Sequence, residues 1–248
     1  MSRNFELLQR AAEQRARQVL PPDLFAERHA AEPTAGTTDH RLHPQISRLA
    51  EQVFFMPGTA APRVVVFSSV DKPQDENHIL AGVGEAIVLR TRMPVCVVDA
   101  NLCSPSVHVY FGIGNRRGLM DALRGSRPIH ECGQQIKKAH LTIVPTGMPE
   151  ANWPQLITSD TMAARMAELR SAFAYVLVQS APLGLFTHGL FLAQFSDGLV
   201  LTLEANATRR EQAGKIKQDL ARAQVRLLGA VLNNRTYPIP QAIYSKLW

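Results

Sequence analysis

The sequence predicts a doubly wound α/β fold, a mostly parallel sheet with helices on both faces, preceded by an N-terminal helical extension. Unbroken apolar runs recur at residues 64–67, 95–98, 141–144, 175–178, 199–203 and 225–232. Strands that are apolar at every position are covered on both faces, the usual state of a parallel sheet. Helix-forming segments separate these runs, as parallel crossovers require. The 248 residues, 46% apolar, can bury one substantial core and still leave an extension.

Residues 4–20 are polar and helix-forming, with Phe5, Leu7, Leu8 and Ala11 as a narrow apolar edge, and Pro21-Pro22 stops them. Residues 30–38 are small, polar and contain Pro and Gly, as a linker does. A second helix is predicted over 44–55, with Ile46, Leu49, Val53 and Phe54 on one face, closed by Met56-Pro57-Gly58. Residues 1–60 are therefore expected to be helical extension and linker, and residues 61–248 the α/β domain. The first strand begins near Arg63. Ile79, Val83 and Ile87 then repeat at four-residue spacing, and residues 162–172 and 209–224 are good helix formers.

Composition narrows the setting. Cys96, Cys103 and Cys132 form no C-x-x-C pair, so reduced thiols are expected rather than disulfides or a metal site. The N-terminal residues carry mixed charge and no apolar leader segment, and residues 181–195 are too few to span a bilayer. These features predict a cytoplasmic protein, peripheral at the inner membrane only through a partner. The net charge of +6 concentrates in residues 116–138 and from Arg209 onward. A basic face suits nucleic acid, anionic lipid or an acidic partner, but such helices are more often simply solvated. No aromatic interleaving supports a stacking mode, so nucleic acid is not the expected partner.

The loop after the first strand carries the main chemical signal. Residues 63–69 run into Val70-Asp71-Lys72-Pro73-Gln74-Asp75-Glu76-Asn77-His78 and then a helix. A phosphate-binding loop of P-loop NTPase type needs glycines, a lysine and a Ser/Thr here. This loop has no glycine, and Glu76-Asn77-His78 stands where Gly-Lys-Ser/Thr is expected. Asp71, Asp75 and Glu76 add carboxylates; two unit charges ~4 Å apart at an effective dielectric of 20 repel by roughly 4 kcal/mol. Acids also complement a helix N-terminus, and Lys72 offers one cation. Asp99 ends the second predicted strand, where an acid can hold Mg2+ through water; the fourth ends in neutral Gln179.

The chain resembles the cytoplasmic P-loop domain of bacterial tyrosine kinases of capsular and exopolysaccharide biosynthesis, relatives of the partition and cell-division ATPases. The resemblance runs from about Arg63 to Trp248. Val97-Val98-Asp99-Ala100-Asn101-Leu102-Cys103-Ser104-Pro105-Ser106-Val107-His108 carries it most strongly, continued by Phe111-Gly112, Gly118-Leu119, Asp197-Gly198, Thr208-Arg209-Arg210 and Val231-Leu232-Asn233-Asn234. It implies that Asn77 stands for the family's lysine, His78 for its Ser/Thr, Gln179 for an acid and His188 for a further Asp. It also implies a base contact by Asn233 or Asn234. The C-terminal tyrosine run is reduced to Tyr237 and Tyr244, and the N-terminal oligomerisation helix is matched at best by Arg48.

From these departures the sequence predicts a degenerate nucleotide site made of Lys72, Gln74, Asp75, Glu76, Asn77 and His78 with Gln179. It predicts no cofactor, no metal and no enzymatic activity, with Asp99 the residual catalytic candidate. The expected role is a scaffold or regulatory partner in exopolysaccharide synthesis or export. It would dock on a membrane-bound co-polymerase or an active kinase paralogue, or self-associate. Two alternatives stand beside it. One is an active ATP- and Mg2+-binding tyrosine kinase or ATPase that uses Lys72, Asp99 and His188. The other is a partition-like protein on DNA or anionic membrane, marked by salt-dependent binding.

Overall fold

A computed structural model describes residues 43–56, 61–71, 76–125, 127–136, 140–148, 153–157 and 160–235. The helix expected over 4–20, the linker at 30–38, and Lys72, Gln74, Asp75, Tyr237 and Tyr244 lie outside the described residues. In chain order the elements are α1 (Pro44–Phe54), β1 (Val64–Ser69), α2 (Glu76–Thr91), β2 (Val95–Ala100), α3 (Val107–Tyr110), α4 (Leu119–Leu123) and a 3-10 turn (Ile129–Cys132). There follow β3 (Gln134–Gln135), β4 (Leu141–Val144), α5 (Trp153–Ile157), α6 (Asp160–Ala172), β5 (Tyr175–Ser180), α7 (His188–Gln194), β6 (Gly198–Glu204), α8 (Arg210–Arg222) and β7 (Leu227–Asn233).

The strands form one sheet in the order β3-β4-β2-β5-β1-β6-β7. The pairs from β4 to β7 are parallel, and the two-residue β3 runs antiparallel to β4. Alternate strand residues feed opposite faces, as the period of two demands. Val64, Val66, Cys96, Val98, Val176 and Val178 pack in one buried cluster, and Val65, Phe67, Val95, Val97 and Leu177 in the other. Both faces are thus covered, which is why the strands read as continuous apolar runs. Burial also pushes the Cys96 thiol far above its ordinary pKa and the Cys103 thiol up to about 12, so both stay protonated at neutral pH.

The helix α1 shares the second cluster. Ala50 and Phe54 are fully buried there, with Ile46, Leu49 and Val53 packed beside them. A Cβ added at Gly82 of α2 would stand 2.9 Å from Ile46 Cγ2, so the two helices approach closely because residue 82 has no side chain. His43 caps α1 through its Nδ1, and Pro44 takes the first turn, where a missing N–H costs nothing.

At the amino ends of the strands, Asp197 accepts hydrogen bonds from the backbone N–H groups of Arg63 (2.7 Å) and Val64 (2.8 Å) and pairs with Arg170 at 2.8 Å. Burial alone would raise this carboxyl; the Arg170 guanidinium and the two N–H groups outweigh it and hold the pKa below its usual value. A depressed carboxyl pKa stabilises the fold above the unfolded value near 4 and ceases to as pH falls through the folded value. Asp197→Ala leaves both N–H groups without that acceptor and is expected to cost about 1–2 kcal/mol at pH 7 in urea unfolding, with the difference fading in acid. Among the described residues, no helix is long and apolar enough to cross a membrane.

Candidate functional site

Crossovers from β1 lead one way across the sheet to β2, and those from β5 lead the other way to β6. Such a reversal opens a crevice at the carboxyl ends of the strands. Asp99, at the end of β2, is fully buried there. Its Oδ1 accepts from the N–H of Asn101 at 3.0 Å, and its Oδ2 from those of Ser106 (3.0 Å) and Val107 (3.1 Å). Burial pushes its pKa up to about 6, against the pull of these N–H donors and of Thr146. The Ser106 hydroxyl donates to Asn77 Oδ1 at 3.2 Å, which ties the start of α2 to the loop that Asp99 holds.

Gln179 lies beside Asp99 in the register of β5 with β2. Its Oε1 is buried without a hydrogen-bond partner. Glu76 opens α2, and His78 is half-buried two residues on. His188 is buried at the start of α7, where desolvation lowers its pKa to about 4, so it is neutral at pH 7 and supplies no cation. The fold thus brings Asn77, Asp99 and Gln179 together and leaves His188 uncharged.

A cavity of about 330 Å3 opens next to this network, at the ends of β1, β6 and β7 and the start of α8. Ser69, Asp71, Thr202, Glu204, Arg209 and Asn233 all line it. Parallel pairing sets their places: Ser69 is level with Thr202, and Glu204 with Asn233. The loop after β5 holds the end of β1 by donating Leu183 and Gly184 N–H to the carbonyls of Ser69 and Val70. A Cβ at Gly184 would fall 2.4 Å from the Val70 carbonyl, so only glycine permits that approach. The buried Ser69 hydroxyl has no hydrogen-bond partner. Among the described residues, no hydrogen bond or ion pair engages the carboxylates of Asp71 and Glu204, the Arg209 guanidinium or the Asn233 amide. So many uncommitted polar groups around one space suit a polar ligand. Asn234 is exposed beyond β7, with φ +53°.

No protein-family model matches the chain. It is 30% identical over 141 residues to the tyrosine-protein kinase YwqD of Bacillus subtilis, covering 57% of this chain and 60% of that one. It is 28% identical over 149 residues to the putative tyrosine-protein kinase EpsB of Ralstonia nicotianae, covering 60% of this chain and 20% of that one. The chain is homologous to bacterial tyrosine-protein kinases. The matched part spans at most 60% of the length of these two relatives. The fold agrees with solved structures: the chimerical protein CapA2B2 (TM-score 0.72, 20% identity, 77% of this chain and 84% of that one) and the VpsO kinase domain (0.65, 22%, 71% and 86%). MinD of Pyrococcus horikoshii, complexed with Mg-ADP, matches at TM-score 0.60 and 16% identity over 75% of this chain and 76% of that one. The P-loop NTPase architecture expected from the sequence is therefore present.

Two expectations are corrected here. A protein without enzymatic activity is overturned by homology to tyrosine-protein kinases, and the absence of a cofactor by the MinD fold relative that holds Mg-ADP. The physical reason is that those expectations follow from charges and hydroxyls missing at Asn77, His78 and Gln179, all on the phosphate side of the crevice. The crevice has a second part, the cavity between β1, β6 and β7, which owes nothing to glycines or a lysine in the phosphate loop. Glu204, Thr202 and Ser69 carry no motif that marks them as site residues, and Arg209, though within the Thr208-Arg209-Arg210 stretch of the resemblance, carries no assigned role. Their signal is weak: Ser69, Thr202 and Glu204 lie within two residues of the end of an apolar run, where ligands of open α/β sheets bind.

Proposed function

We propose that this chain is an adenine-nucleotide-binding protein of the tyrosine-kinase or ATPase kind, acting in bacterial exopolysaccharide synthesis or export through a phosphate loop of non-standard composition. The observation that carries the reading is the cavity of about 330 Å3 at the switch point of the sheet, lined by uncommitted polar groups. The residues there fit the base and sugar end of a nucleotide. Asn233 offers both a donor and an acceptor to a base edge, Ser69 an unpartnered buried hydroxyl, and Arg209 a guanidinium for the phosphate end. A nucleoside triphosphate, when bound, supplies the group to be transferred. Asp99 acts as a positioning residue: it holds residues 101–107 and, through Ser106 and Asn77, the start of α2.

The described side chains do not fit a directly held divalent cation. Among the described residues no three His, Cys, Asp or Glu side chains gather, both Asp99 oxygens are engaged by N–H groups, and Gln179 is neutral. The division at about residue 60 belongs to the same proposal, as do docking on a membrane-bound co-polymerase or a kinase paralogue and self-association. Support for these comes from the resemblance to capsular and exopolysaccharide kinases.

The test is calorimetric titration of the full chain with ATP and ADP, with and without Mg2+, followed by an assay for phosphotyrosine. Micromolar binding is expected, with Arg209→Ala weakening ATP about tenfold, or roughly 1.4 kcal/mol. No binding up to millimolar nucleotide would sink the proposal.

A further inference from the structure

Resting on the nucleotide reading, we propose that Glu204 reads the vicinal hydroxyls of the sugar and makes the site selective for ribonucleotides over 2′-deoxyribonucleotides. Three facts carry this. The backbone of Glu204 is fixed: its N–H donates to the Thr208 hydroxyl at 2.9 Å, and its carbonyl accepts from Thr208 N–H at 3.0 Å and Ala207 N–H at 3.3 Å. The residue is half-buried and lines the cavity, and its carboxylate is engaged by no hydrogen bond or ion pair among the described residues. An ionised carboxylate only accepts hydrogen bonds, so one that lines a cavity and has no protein partner suits a ligand with paired donors.

The strand order says which part of the ligand that is. The ends of β1, β6 and β7 lie side by side, roughly 4.8 Å apart per strand. Asp71, after β1, adjoins the phosphate loop; Glu204 ends β6 in the middle; Asn233 ends β7 at the far side, level with Glu204. A nucleotide with its phosphates over the loop after β1 therefore carries its sugar past β6 and its base to β7. The middle strand presents the group that accepts two hydroxyl donors, and the outer strand the amide that reads a base edge. A site built to bind a hydroxyl discriminates against its absence, because its own polar group is then left desolvated and unpaired.

The experiment is calorimetric titration of the full chain and of Glu204→Gln with ADP, 2′-deoxy-ADP and GDP. The natural chain is expected to prefer ADP to 2′-deoxy-ADP by about tenfold or more. Glu204→Gln, with an unchanged melting profile, is expected to bring the two within about twofold by weakening ADP alone. Equal binding of ADP and 2′-deoxy-ADP by the natural chain overturns the inference and leaves the nucleotide reading standing. A variant that weakens both equally, or shifts the ADP-to-GDP ratio instead, also overturns it. Failure of the natural chain to bind any of the three overturns the nucleotide reading and this inference together. If the variant does not fold, the ADP to 2′-deoxy-ADP ratio of the natural chain decides by itself.

Discussion

Asp99→Ala is expected to destabilise the protein by about 4 kcal/mol near pH 5, measured by urea unfolding. The alanine strips three N–H groups of their acceptor, those of buried Asn101 and Val107 and of half-buried Ser106, and a buried donor left unpaired costs about 1–3 kcal/mol. The effect depends on pH with a definite sign. The folded pKa of about 6 lies above the ordinary 3.8, so the folded state holds a proton that the unfolded state has lost. Stability from this group is complete below about pH 4 and is lost as pH rises through 6, a change of about 3 kcal/mol for two pKa units. The gap between the natural chain and Asp99→Ala should therefore narrow by up to that amount from pH 4 to pH 8. Asp99→Asn keeps one acceptor oxygen and cannot ionise, so its stability should vary less with pH than that of the natural chain over the same range. A gap that widens with pH would show that the three N–H donors outweigh burial.

Phe54→Ala is expected to cost about 4 kcal/mol, the usual result of emptying a fully buried phenylalanine site. The ring meets Tyr175 edge-on, with centroids 5.8 Å apart, and fills the space between α1, α2 and the sheet. Most of the cavity would remain, because Ile46 is already in close approach to Gly82 and α1 has little room to collapse. Unfolding should stay a single transition, since Phe54 shares one buried cluster with Val65, Phe67 and Leu177. A loss below about 1 kcal/mol would show that α1 is an appendage rather than part of this core.

The long elements were legible because their residues carry the period of their own structure. Ile79, Val83 and Ile87 repeat at helical spacing and are all buried in α2; Ile46, Leu49, Val53 and Phe54 likewise face the core from α1. The short elements were not. Helices such as Val107–Tyr110 and Leu119–Leu123 span little more than a turn, too few residues to display a period, and the two residues of β3 carry no alternation. Asp99 and Gln179 stood out as candidates because each ends an apolar run, Asn77 because it stands where a phosphate loop needs its lysine, and Asn233 through the family resemblance. Their company did not: whether an Asp at a strand end meets solvent or three N–H donors depends on how residues 101–107 fold over it.

By itself the sequence determined the class of fold, the order of apolar strands and helices along the chain, and the unusual composition of the loop after the first strand. Local periodicity and the residue types at strand ends suffice for these, since they follow from backbone geometry within a few residues. Only the tertiary structure decided that Ser69, Glu204, Arg209 and Asn233 surround one cavity. They come from segments far apart along the chain, and they meet because parallel pairing sets β1, β6 and β7 side by side with their carboxyl ends level. That arrangement places the cavity at the carboxyl end of β1 whatever residues follow Asp71.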